Sequence, residues 1–209
     1  NIFISPTSAL IAMLMVYNGA DGETKAEIEA ALQIDALTHD EVNEATAALL
    51  ESLQREDDQL EVTIANSLWL NEDFTFLPEF EQRMKDYFDA EIAEIDITND
   101  ASADQINDWV KQSTKDMIEE IVEKPLSPDL LTYIVNALYF KGMWTYEFDE
   151  NLNFDADFFT KDGEKEVPFM TLDDDFTYLE TEQFQAVKLP YSEGEINMQI
   201  FLPKEDESL

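Results

Sequence analysis

Residues 136–144 read NALYFKGMW, inside the longer run IVNALYFKGMWTYEFD at 134–149. Alternation places Ile134, Asn136, Leu138 and Phe140 on one face and Tyr133, Val135, Ala137 and Tyr139 on the other. Apart from the amide both faces are apolar, which predicts a central strand covered on both sides. A buried amide left without partners costs about 1–3 kcal/mol. Asn136 is therefore expected to be hydrogen-bonded, with the hydroxyls of Ser5 and Ser8 as the expected partners. A purely structural hydrogen bond would account for the amide. So would a functional one, and the rest of the chain decides between them.

Toward the N-terminus, Ser5-Pro6 marks a helix start, Ser5 as cap and Pro6 at the first helical position. The residues that follow are apolar nearly all round through Val16, which predicts a helix buried on all sides. Asn18-Gly19 ends it. Further helices are expected at 23–34, with Ile28, Ala31 and Leu32 on one face, and at about 40–55, with Val42, Ala45, Leu49, Leu50 and Leu53 inward. LEVTIANSLWL at 60–70 alternates, so Val62, Ile64, Asn66, Leu68 and Leu70 share a strand face. Residues 78–89 read as helix and 91–97 as a short strand. Ser102 and Gln105 have capping-box spacing. They open an amphipathic helix over 103–122 that carries Ile106, Trp109, Val110, Met117 and Ile121. Pro125 and Pro128 close that region. The C-terminal third is β-rich. FFTKDGEKEVPF at 158–169 holds a hairpin turn at Lys161-Asp162-Gly163-Glu164. AVKLPYSEGEINMQIFLP at 186–203 reads as two strands joined through Ser192-Glu193-Gly194. Helices first and hairpins later predict an α+β fold with antiparallel or mixed sheets.

The 209 residues are 44% hydrophobic, enough for a real core. Their charge is unusual: 12 Lys and Arg stand against 48 Asp and Glu, a formal −36. Such a field repels nucleic acid and anionic membranes, which need basic patches. The acids are spread along the whole chain, which favours a surface adapted to high salt over an acidic docking surface. Without cysteine there is no disulfide, thiolate nucleophile or Cys-based zinc site. The one histidine, His39, falls in the polar stretch THDEVNE at 38–44 and is expected to be solvated. A Ser-His-Asp triad or a multi-histidine metal site is therefore not expected. Asp155/Asp157 and Asp173/Asp174/Asp175 lack calcium-loop spacing and read as solvated loops rather than acid–base or metal pairs. The longest apolar run, 9–17, is far short of the roughly 20 residues of a membrane span, and no basic segment precedes it. Neither end reads as a finished terminus, so a portion of a longer protein is expected.

Taken together these stretches resemble the serpins. NIFISPTSALIAMLMVYNGADGETKAEI at 1–28 is similar to the serpin helix B and C region, with its N-x-F-x-S-P-x-S opening and G-A-x-G-x-T-x-x-E-I exit. IANSLWLNEDF at 64–74 resembles the second strand of the large sheet A and the approach to helix E. The helix at 103–122 resembles helix F. IVNALYFKGMWTYEFD resembles the third strand of sheet A, with Phe140, Lys141 and Gly142 in the family signature N-A-x-x-F-K-G-x-W. VPFM at 167–170 and AVKLPY at 186–191 match strands of sheets C and B. The order is the family's along essentially the whole chain.

The resemblance implies a serpin fold over 1–209, incomplete, lacking helix A, strand 5 of sheet A, the reactive-centre loop and the C-terminal strands. It implies that Ser5, Ser8 and Asn136 belong to the shutter, the region that parts as the loop inserts, and that Trp144 belongs to the breach, where the loop first enters. The implied function of the full-length protein is inhibition of a serine, or else a cysteine, protease by acyl-enzyme trapping and loop insertion. The alternative is a non-inhibitory serpin acting as chaperone, carrier or storage protein. The bait loop lies outside this chain in either case. No enzymatic activity, cofactor or membrane contact is implied; a monomer and an extracellular location are. The helix at 40–55 carries Asp40, Glu41, Glu44 and Glu51 against Arg55, so heparin or another polyanion is disfavoured as a partner.

Overall fold

Ser5 accepts a hydrogen bond from the Ser8 N–H at 3.2 Å, and Pro6 takes the first position of α1, Pro6–Gly19. The computed structural model describes residues 4–160 and 163–204. The chain divides into two compact units, residues 1–56 with 61–140, and residues 57–60 with 141–209.

In the first unit, α1 is followed by α2, Gly22–Leu32, and α3, His39–Leu53. Thr38 and Glu41 form a reciprocal capping box at the start of α3. α4, Pro78–Phe88, buries Phe80, Met84 and Phe88. These side chains join Ile11, Leu14, Met15 and Tyr17 of α1 in one core cluster. Gly19 packs closely on α4: a Cβ there would stand 3.2 Å from the Phe80 ring, which would have to give by a few tenths of an ångström.

The sheet of this unit is built on β2, Leu60–Asn71. β1, Arg55–Glu56, pairs with it antiparallel, and β3, Ala90–Ile95, pairs parallel from Asn66↔Ala90 to Asn71↔Ile95. β4, Thr132–Gly142, also pairs with β2, in keeping with the resemblance of these two stretches to the second and third strands of sheet A. Alternation along β2 sends Ile64 and Leu68 into the α1/α4 cluster and Trp69 into a second one. That second cluster adds Ile95, Val122, Leu126, Val135 and the inner face of α5, Ala101–Ser113.

Several expectations are corrected. α1 is not buried all round: Met13 is 39% and Val16 37% exposed, on the side turned from the sheet. Ala45 of α3 is exposed, whereas Asn43 and Thr46 are buried. Ser102 does not cap α5. The helix begins at Ala101, two residues before the expected 103, and the Ser102 hydroxyl donates instead to Asp96 O at 2.7 Å while Asn99 Oδ1 accepts from the Ala101 N–H. α5 ends at Ser113, short of 122, because Lys115 and Asp116 turn into the left-handed region. Met117, beyond that turn, is 75% exposed. Among the described strands the neighbour of β4 is β2, and both faces of β4 are covered as expected, Ile134 and Leu138 by the first cluster and Tyr133 and Val135 by the second. His39 is half-buried rather than solvated, with its ring against Tyr17.

The second unit holds a hairpin of β5, Phe154–Thr160, and β6, Gly163–Phe169. Lys161 and Asp162 of the expected turn lie outside the described residues; Thr160 pairs with Gly163 on either side of them. A second sheet runs β7, Thr177–Glu180, β8, Phe184–Tyr191, and β9, Ile196–Pro203. Ser192, with φ 47°, and Gly194, with φ 94°, turn the chain between β8 and β9 as expected. The fold is α+β with mixed and antiparallel sheets.

Candidate functional site

Asn66 and Asn136 meet across β2 and β4. The Asn71 N–H donates to Leu131 O at 3.0 Å and the Met143 N–H to Gln59 O at 2.8 Å, a register that sets Asn66 opposite Asn136 in strands running in opposite directions. A directly opposed pair on one face brings side chains within easy reach. The Asn136 Nδ2 donates to Asn66 Oδ1 at 2.7 Å. Asn66, 2% exposed, in turn donates from Nδ2 to Phe88 O at 2.7 Å. That carbonyl ends α4 and would otherwise lack a partner. One amide therefore ties two strands and a helix end together.

The hydroxyls expected to serve Asn136 do something else. Ser5 Oγ is engaged at the start of α1 with the Ser8 N–H. Ser8 Oγ is buried without a partner, and so is Asn136 Oδ1. The correction has a simple cause: an amide directly across a strand pair is nearer than a hydroxyl on the covering helix. Ile134 and Leu138, on the Asn136 face of β4, pack against the cluster that contains α1. The Asn136 amide thus has its donor satisfied and its acceptor unsatisfied, on the helix-covered side of the sheet.

Trp144 sits in the second unit. Its ring stacks on Tyr191, centroids 4.3 Å apart and planes at 16°, and meets Phe148 edge-on. Around it the Ser192 N–H donates to Met143 O at 2.8 Å and the Thr145 N–H to Pro190 O at 3.0 Å. Burial raises the Tyr191 phenol above its ordinary value. Of the signature residues, Phe140 is half-exposed near the end of β4, Lys141 is exposed and Gly142 is the last strand residue.

A second buried amide pair, not foreseen from the sequence, joins α1 to α3. Asn18 Nδ2 donates to Asn43 Oδ1 at 2.8 Å, and Asn43 Nδ2 donates back to Asn18 Oδ1 at 3.0 Å. Asn18 had the look of a helix stop, and nothing near Asn43 pointed to a partner 25 residues away. Asn66 was visible on an apolar strand face, which was the signal that could have named it the partner of Asn136.

The fold is shared with known proteins. The family model described as Serpin (serine protease inhibitor) matches residues 1–209. This chain belongs to the serpin family. It is 34% identical to human neuroserpin, over 99% of this chain and 53% of that protein. It is 33% identical to an uncharacterized serpin-like protein of Methanosarcina mazei, over 99% of this chain and 49% of that one. The thermophilic serpin Tengpin in its native state superposes with a TM-score of 0.90 at 31% identity, over 99% of this chain and 52% of Tengpin. In its latent state the TM-score is 0.89. This serpin chain therefore spans about half the length of the relatives it matches, and that half has much the same fold in both Tengpin states.

Proposed function

We propose that the full-length protein inhibits a serine-type endopeptidase by the serpin route. A loop on residues outside this chain is cleaved, the protease is held as the acyl-enzyme, and the loop enters the sheet to which β2 and β4 belong. Serpin loop insertion is a known instance of strand addition. The chain described here supplies the sheet and its polar seam, not the bait.

The state of Asn136 carries this reading. Its Nδ2 is bonded to Asn66, while its Oδ1 and the Ser8 Oγ are buried without partners. In a low-dielectric interior an unmet acceptor is costly, and a polar seam can exchange partners as strands part, which an apolar seam cannot. We accordingly assign Ser5, Ser8 and Asn136 to the shutter, add Asn66 to it, and assign Trp144 to the breach. Asp40, Glu41, Glu44 and Glu51 on α3 argue against heparin as a cofactor.

The test is a gel for the covalent complex beside a melting curve, on the full-length parent, Asn136→Ala and Glu44→Ala. Asn136→Ala should be destabilised by about 1–3 kcal/mol. It should also trap fewer protease molecules per inhibitor consumed, because the strain that drives insertion is held in this sheet. Glu44→Ala should match the parent in both. Equal trapping and equal melting in Asn136→Ala would remove the shutter assignment. A parent that forms no covalent complex with trypsin-, chymotrypsin-, elastase- or subtilisin-type proteases would place the protein among the non-inhibitory serpins.

A further inference from the structure

The single histidine of this chain closes a packed junction between helices. His39 is the first residue of α3. Its ring meets the Tyr17 ring with centroids 5.0 Å apart and planes at 63°. Its Nε2 is buried and has no hydrogen-bond partner. Charged and titratable groups face it from every neighbouring helix. α1 contributes Tyr17, whose hydroxyl donates to Glu29 Oε1 at 3.1 Å. α2 contributes that Glu29 and Lys25, whose Nζ lies 5.2 Å from the Tyr17 ring centroid. α4 contributes Arg83, whose guanidinium donates to Asn18 O at 3.2 Å. α3 itself contributes Asp40 and also Glu41, whose carboxylate is turned back onto the Thr38 N–H and hydroxyl.

Several influences oppose a positive charge on this ring. It is packed against an aromatic edge, it stands near two cations, and it lies at the positive end of the α3 macrodipole. A proton on Nε2 would also be a buried donor with no acceptor. Asp40 and Glu29 pull the other way without prevailing. The imidazole is held below its ordinary value, by burial first and by Lys25 and Arg83 next. That is the reverse of what a chain with formal charge −36 would impose on an exposed histidine.

We propose that His39 is an acid-sensitive joint. Neutral, it seats the first turn of α3 on Tyr17; on taking a proton from solvent it weakens that seat and loosens α3 from α1 and α2. The buried Asn18–Asn43 pair lies one turn further along α3 and is the next contact to feel the change. The sign follows from the lowered value. The contribution of His39 to stability is complete above the unfolded imidazole value near 6.5 and is lost as pH falls from there toward the lower folded value.

The test uses the full-length protein. Imidazole C2–H resonances are followed from pH 8 to 5, with His39→Gln identifying the His39 signal. Its midpoint should lie below about 6.5, and Lys25→Met should move it upward. Between pH 7.5 and 5.5 the parent should lose about 1–3 °C more of its melting temperature than His39→Gln does. A midpoint at or above the ordinary value, or parallel melting profiles for parent and variant, would overturn the joint. Should His39→Gln not fold, the contact between the Tyr17 and His39 ring protons assigns the parent signal, and the Lys25→Met shift decides.

Discussion

The two units of the chain treat apolar surface in opposite ways. In the helical unit Ile11, Met15, Leu68, Met84 and Phe88 are fully enclosed, and the buried Asn18, Asn43 and Asn66 each meet another amide. In the hairpin unit, Leu60 and Tyr191 are the buried residues among those described, while Phe158, Phe159, Ile200, Phe201 and Leu202 are exposed. Strands such as INMQIFLP, apolar on successive residues, suit a sheet covered on both faces. The difference teaches where stability is generated locally. The first unit encloses its own core, whereas the second leaves apolar strand residues exposed among those described.

The largest effect expected from this contrast is at Phe88. In the full-length protein Phe88→Ala should cost about 3–5 kcal/mol in chemical denaturation, since the side chain is wholly buried and its loss leaves a cavity. Phe159→Ala, at a site 73% exposed here, should cost about 0.5 kcal/mol or less. If Phe159→Ala proved as damaging as Phe88→Ala, the hairpin faces would be covered by residues outside this chain. The contrast would then belong to this stretch and not to the whole protein.

A smaller effect separates the two amide pairs. Asn43→Ala should cost about 1–3 kcal/mol, because it strands the buried Asn18 amide. A double-mutant cycle with Asn18→Ala should return a coupling of about 0.5–3 kcal/mol. Asn43→Ala should leave protease trapping at the parent level, unlike a change at Asn136. Equal loss of trapping at both sites would mean that general destabilisation, not the seam between β2 and β4, governs insertion.

What was legible in the sequence follows the range of the interactions involved. Ser5-Pro6, the alternation in LEVTIANSLWL and the pairing of residues 186–203 are local patterns, and each forms the element expected. Asn136 could be recognised as needing a partner, since its face is otherwise apolar. Which partner it takes depends on register, and Asn66 stands 70 residues away in sequence. Ser102 illustrates a different failure. Its spacing to Gln105 fits a capping box, but the preceding turn at Asp96 offers a carbonyl that takes the hydroxyl. The truncation of α5 was hidden because Lys115 rarely adopts positive φ and Asp116, which does so more readily, carries no such signal in a helical pattern. His39 looked solvated because its immediate neighbours in sequence are polar, while Tyr17, which covers it, comes from another helix.

The smallest effect is expected in the hairpin unit, at Glu180. Its carboxylate accepts hydrogen bonds from Lys204 Nζ at 2.5 Å, Tyr178 OH at 3.0 Å and Gln185 Nε2 at 3.3 Å. The Lys204 contact, the strongest influence, together with the other donors, lowers this carboxyl to about 2. A depressed carboxyl contributes stability above its unfolded value of 4.5 and loses that contribution as pH falls toward about 2. The group is well exposed, so water and salt screen most of the interaction. Glu180→Gln should therefore lower the melting temperature by about 1 °C or less at pH 7 and low salt. The difference should shrink in molar KCl and begin to close as pH drops below 4.5. A large, salt-independent loss would show that Glu180 is enclosed in the full-length protein. The exposed faces beside it would then be interior surfaces, and the contrast between the two units would have to be redrawn with the hairpin sheet as part of a core.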